Sequence, residues 1–280
     1  MPSFDTPEPI SVTAHVYAGS IRFTAGDRLD TVVDVRPRDP EKDQDVRAAD
    51  QTEVTYASGA LTVRTPKANL LGRSGTVDVT VELPTGSSID TTGAGANVIG
   101  EGRLGEVRVQ TSAGDVRLDT TGPLQLKASH GSSTVERVDG TAEITSSTGN
   151  VRVGLVDGSA VLKNTHGTTT VGAVTGELRV SGANGGIDIA RAEASVTGTT
   201  TNGHLRVAEV ARGNVQLETS NGAIEIGIRE GTAAWLDVNS NRGQVRNRLT
   251  PSEAPEQTED SVTVRARTNW GNIDVLRAKA

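Results

Sequence analysis

His130 and His166 are the residues whose type and spacing come closest to suggesting chemistry. Each stands directly before a glycine that opens a short run of alternating residues. Two imidazoles in one column could share a metal ion, and zinc holds its nitrogen ligands at about 2.0–2.1 Å. The two histidines lie two repeats apart, with Thr148 in the equivalent place between them. Parallel strands are about 4.8 Å apart, so the imidazoles are expected about 9.6 Å apart, too far to share an ion. His204 falls on the other side of its glycine and His15 is distant in sequence, so all four read as solvated or turn histidines. The chain has no cysteine, which removes thiolate sites and disulfides. The Gly185-Gly186-Ile187-Asp188 stretch lacks the repeated aspartates of calcium-binding solenoids. No nucleophile, base and orienting group recur at reinforcing positions. The expectation is therefore a non-enzyme with no catalytic residues, metal or cofactor.

The elements that carry these residues are set by glycine. One series runs Gly114, Gly131, Gly149, Gly167, Gly185, Gly203 and Gly222, about every eighteen residues. A second series, Gly105, Gly122, Gly140, Gly158, Gly176 and Gly213, runs half a period out of phase. Each glycine precedes an apolar-polar-apolar run, such as Val151 and Val153 or Ile187 and Ile189 in the first series, and Ala160 and Leu162 or Leu178 and Val180 in the second. Period-two alternation points such pairs into a core and the residue between them into solvent. The pattern predicts an all-β, parallel β-solenoid with two strands per coil of about 18 residues and an irregular N-terminal cap. Val138, Val156, Val174, Ala192 and Val210 should close one edge of the coil. Thr111, Ala128, Ser146, Asn164, Gly182, Thr200 and Thr219 should close the other, where the hydroxyl and amide groups need partners. Only six residues are aromatic, in keeping with a thin aliphatic interior.

Two outward columns stand out. Asn184, Asn202 and Asn221 fall at one position on successive coils, so their amides can join in a hydrogen-bonded ladder. Asp188, Arg206, Glu225 and Arg246, followed by Asp274, alternate in sign and predict pairing of opposite charges between neighbouring coils, which would fix register. Trp235 and Trp270 lie near the far end of the repeat and are candidate docking residues.

The organisation expected is one continuous domain, with residues 1–92 as cap and first irregular coils and residues 93–280 as the regular solenoid with its own C-terminal cap. Arg36 to Glu53 is dense in charge and proline and should be a loop or short polar helix. Lys67 to Ser74 and Thr250 to Asp260 read as further insertions. The net charge of −7 gives no reason to expect nucleic acid as a partner. The start MPSFDTPEPI lacks a basic, apolar leader, and no run of apolar residues is long enough for a membrane helix. These features predict a cytoplasmic chain without direct membrane insertion. Open solenoid ends leave strand edges that caps, an unidentified protein partner or a second copy joined end to end must cover.

Segments such as Ser147-Thr148-Gly149-Asn150-Val151-Arg152-Val153 and Thr219-Ser220-Asn221-Gly222-Ala223-Ile224-Glu225-Ile226 resemble the bacterial DUF4097 family of β-strand-repeat proteins, the toastrack or adhesin-like domains. The likeness covers about residues 10 to 278. It implies a strand-repeat fold and no established enzyme, and relatives are associated with envelope-stress systems of the phage-shock or Lia type. The expected function is a non-enzymatic scaffold or protein-interaction module in an envelope-stress-related assembly. A carbohydrate-binding or carbohydrate-processing adhesin-like solenoid is the alternative.

Overall fold

The computed structural model describes residues 1–66, 75–249 and 260–278 of the chain. The insertions expected at Lys67 to Ser74 and, all but Asp260, at Thr250 to Asp260 have residues outside this range. The protein is an all-β, parallel β-solenoid whose chain divides into two compact units, Met1–Asp139 and Gly140–Ala280.

The first unit is organised around one long strand, Ser11–Gly26. One of its edges pairs in parallel with Ser88–Arg103, from Ser11↔Ser88 to Thr24↔Glu101. Its other edge is shared: Ala60–Arg64 covers Ser11 to His15, and Val77–Pro84 covers Gly19 to Gly26. Between these two partners the strand bends at Gly19, whose φ of +126° suits glycine and whose Cβ position is filled by the Val77 backbone. The irregular cap is antiparallel. Ser3–Asp5 pairs with Asp30–Pro37, which pairs with Val77–Pro84, and the hairpin Glu53–Ala57/Ala60–Arg64 turns at Ser58-Gly59, both at positive φ. Within Arg36 to Glu53 lies the short helix Asp43–Asp50. Its buried Asp45 accepts the Thr76 backbone N–H at 2.7 Å and so ties the helix to the sheet.

Regular coils follow, with Val107–Ala113 pairing with Leu124–His130, and Val116–Thr121 with Ser133–Asp139. The strand Ser88–Arg103 spans positions 92 and 93 without a break. The small residues Gly93-Ala94-Gly95 let it bend from one wall of the coil to the next without a turn.

In the second unit the two walls are built as the glycine series predicts. Ala142, Ala160, Leu178, Val196 and Val215 succeed one another on one wall, and Val151, Thr169, Ile187, Leu205 and Ile224 on the other. Their side chains are buried, as are those of the edge column Val156, Val174, Ala192 and Val210. The narrow edge satisfies several of its polar groups on backbone, while Ser146 Oγ and Asn164 Oδ1 are buried without a hydrogen-bond partner among the described residues. Asn164 donates to the Gly149 carbonyl at 3.0 Å, Thr219 to Gly203 at 3.0 Å and Thr268 to Gly222 at 3.0 Å.

The turn glycines serve close approach as much as conformation. At Gly167, Gly185, Gly203 and Gly222 a Cβ would collide with the carbonyl of the glycine one coil earlier. Asn184, Asn202 and Asn221, by contrast, keep ordinary strand backbone. The left-handed residue of the turn at Asn184 is Gly185 alone, at φ +144°.

The last coils are not laid down in chain order. Gly213–Asn221 and Ile224–Ile228 pair with Ser261–Trp270 and Ile273–Arg277, here the inserted rung. The segments that precede it in sequence, Ala233–Arg242 and Val245–Asn247, pair on its far side and form the end rung. The chain thus leaves one place vacant and returns to fill it.

Candidate interaction surface

The asparagine ladder is present. Asn202 donates to Asn184 Oδ1 at 2.9 Å, and Asn221 donates to Asn202 Oδ1 at 2.9 Å. The row extends at both ends, because His166 is the register partner of Asn184, Trp270 of Asn221 and Arg242 of Trp270. The Arg242 guanidinium lies 4.3 Å from the Trp270 ring centre, a cation–π contact. Beside it Asn241 donates to Asn269 at 2.7 Å. Trp270 is therefore a member of the polar row, half covered by an arginine, and not a tryptophan packed into a cap; it remains 54% exposed.

The charge column differs from its sequence reading in two respects. Its spatial order is Asp188, Arg206, Glu225, Asp274, Arg246, because the inserted rung separates the Glu225 coil from the Arg246 coil. Arg246 is consequently a neighbour of Asp274, 4.0 Å from its carboxylate, and not of Glu225, while Glu225 and Asp274 stand side by side with like charge. In addition, Asp188 turns to His204, whose Nε2 is 3.0 Å from Oδ2, so Arg206 pairs with Glu225 alone at 3.1 Å. The alternation is real through Glu225 and breaks where the chain order breaks.

A second charged cluster, not singled out from sequence, lies on the same unit. Arg229 holds Glu193 through two hydrogen bonds at 2.9 and 2.6 Å and also contacts Glu209. The Arg229 guanidinium keeps the Glu193 carboxyl below its ordinary range, and the two acids push Arg229 further up. Glu209 stands in the column of Arg191, and Glu193 and Arg229 are 36 positions apart, so no single column of the repeat signals this cluster.

The end rung is where apolar surface is least covered. Ala234, Leu236 and Val238 occupy inward positions beside Val262, Val264 and Ala266. The latter three are fully buried, whereas the end-rung residues are only partly so. Val245, inward beside Ile273, is 43% exposed, and the outward Trp235 is 62% exposed. No strand among the described residues pairs with the outer edge of this rung. Its rim carries the exposed Arg242, Arg246 and Arg248. Arg246 and Arg248 share the single Asp274 carboxylate at 4.0 and 3.8 Å, and Asp237 is engaged by Arg265 and Arg267, which hold its carboxyl below the usual range, so basic groups outnumber acidic ones here among the described residues. Trp235 and Trp270 lie on adjacent rungs of this end. Among the described residues no group of three or more His, Cys, Asp or Glu side chains is arranged to hold a metal ion, and no helix is long and apolar enough to cross a membrane.

Two-stranded coils, glycine-to-carbonyl stacking at the turns and polar ladders along the outer faces define a strand-repeat solenoid of the toastrack class. The Toastrack DUF4097 family model matches residues 9–276, and the chain belongs to that family. No curated protein matches it. Among solved structures it is similar to a putative adhesin from Bacteroides fragilis, with 14% identity and a TM-score of 0.34 over 98% of this chain and 95% of that one. It is also similar to a putative cell adhesion protein from Clostridium sporogenes, with 9% identity and a TM-score of 0.23 over 99% and 98%.

Proposed function

We propose that this solenoid is a non-enzymatic protein-interaction module that accepts a partner strand on its end rung, within an envelope-stress-related assembly. The observation that carries the reading is the half-covered line Ala234, Leu236, Val238 on an unpaired strand edge, flanked by Trp235 and Val245. An edge of this kind offers backbone donors and acceptors together with apolar pockets, the requirements for adding a strand. The rim arginines Arg242, Arg246 and Arg248 select an extended segment carrying acidic side chains. A second copy would bring the same three arginines against this rim, which disfavours end-to-end self-association.

The test is site-specific photo-crosslinking in the native cell, with the crosslinker at 235 or 245, both exposed positions. A single identified protein whose crosslinked segment is extended and acidic is the expected product, and the double variant Trp235→Ala/Val245→Ser should abolish its capture. Capture of the same protein by the double variant, or crosslinking to a second copy of this chain, defeats the proposal.

A further inference from the structure

A groove of about 510 Å³ in the first unit opens where the strand Ser11–Gly26 passes from one partner strand to the next. Residues 16–18 lie between the stretch paired to Ala60–Arg64 and the stretch paired to Val77–Pro84, and the gap is bounded by His15, Tyr17, Arg64, Thr92, Gln110 and Ser112. The volume falls within the range of about 300–1,000 Å³ typical of small-ligand sites. Thr65 shapes this notch: its buried hydroxyl receives the Tyr17 backbone N–H at 3.0 Å. His15, Thr92 and Gln110 form one cross-strand row, with Arg64 at its outer end.

The lining is rich in donors. The His15 ring is fixed by a 2.7 Å hydrogen bond between Nδ1 and Thr92 Oγ1, which leaves Nε2 without a partner among the described residues. The Arg64 side chain forms no ion pair or hydrogen bond among the described residues, whereas those of Arg22, Arg28, Arg36 and Arg38 of the same unit each bind an acid. Its cross-strand partner Glu53 is the acid nearest in register, yet no ion pair joins them. The lining contains no carboxylate among the described residues. A guanidinium fork, an imidazole nitrogen, an amide and the hydroxyls of Tyr17, Thr65, Thr92 and Ser112 around one notch suit a planar oxyanion attached to a hydroxylated body. The Tyr17 ring adds an apolar face for a sugar ring.

We propose that this groove binds a sugar bearing a carboxylate, with Arg64 as the carboxylate anchor and Gln110, Ser112 and Tyr17 toward the hydroxyl groups. Glu53, the register partner of Arg64, places a negative charge near that anchor without pairing with it, and so opposes a bound carboxylate.

The test is calorimetric and NMR titration of the full chain with D-glucuronate, D-glucose, acetate and glucose 6-phosphate. Saturable binding of glucuronate at one site, tighter than the other three and accompanied by movement of the His15 ring signals, is the expected result. Arg64→Gln should weaken it roughly tenfold or more, the loss of a charge-assisted pair. Arg117→Gln, which removes an exposed arginine remote from the groove, should leave it unchanged. Glu53→Gln should tighten it. If Arg64→Gln fails to fold, Gln110→Ala serves in its place, with a weakening of a few fold. Absence of saturable glucuronate binding, equal binding of glucose, preference for glucose 6-phosphate, an unaffected Arg64→Gln or a weakened Glu53→Gln would each overturn the assignment.

Discussion

Glu225 and Asp274 are register partners on adjacent parallel strands, two carboxylates side by side although 49 positions apart in sequence. Arg246, which alternation of charge along the sequence assigns to Glu225, lies one rung further out, beyond Asp274. The arrangement follows from the late return of residues 261–277 into a place left open by residues 233–247.

This order is open to a direct check, because the chain has no cysteine of its own. Neighbouring strands are about 4.8 Å apart, within the Cα range that a disulfide tolerates, whereas two rungs span about 9.6 Å, outside it. The pair Glu225→Cys/Asp274→Cys should oxidise to a crosslink seen as a mobility shift on non-reducing gels. The pair Glu225→Cys/Arg246→Cys should remain reduced, and efficient crosslinking of that second pair would refute the rung order.

Asn202 both donates to Asn184 and accepts from Asn221. Truncating it removes two ladder bonds, while truncating Asn184 removes one. Asn202→Ala should cost about 1 kcal/mol in chemical denaturation, and Asn184→Ala clearly less. Equal losses would mean that the amides do not act as a ladder.

Gly185 combines φ +144° with a Cβ position occupied by the Gly167 carbonyl. Gly231 has φ +80° but open space around it. Gly185→Ala should destabilise by about 3 kcal/mol or more, because two backbones must separate. Gly231→Ala should lose only about 1 kcal/mol, from conformation alone. Thermal melts of the two variants compare the terms, and similar losses would argue against the glycine-to-carbonyl stack.

Glu193 is held by Arg229, so its folded pKa lies below its ordinary value of 4.5. A group with a depressed folded pKa contributes its stability in full above the unfolded value and loses it as pH falls through the folded one. Urea denaturation from pH 6 downward should therefore show a decline below about pH 4.5. Glu193→Gln should make this decline shallower while lowering stability at pH 6. An unchanged acid slope in that variant would exclude the pair as its source.

Much of the fold is legible from residues of one coil. Val156, Val174, Ala192 and Val210 recur at a fixed offset and all are buried, since a repeat of this kind places equal offsets in equal environments. The asparagine row could be read for the same reason. The rung order could not, because Ala234-Leu236-Val238 and Val262-Val264-Ala266 carry the same inward pattern and either could follow Val215-Leu217. Nor could the groove at Arg64, which depends on where two short strands meet one long strand, a matter of long-range register. Trp270 stands out in the sequence by its place near the far end of the repeat, but its position against Arg242 and Asn221 depends on the same reordering.

The return of residues 261–277 into an interior place also has a kinetic side. During synthesis, residues 233–247 leave the ribosome before the strands on which they will rest exist, so the end rung has nothing to dock on until the later segment has emerged. A nascent chain halted near residue 250 would hold the end-rung strands without the rung on which they rest, and a chaperone has that interval in which to bind them.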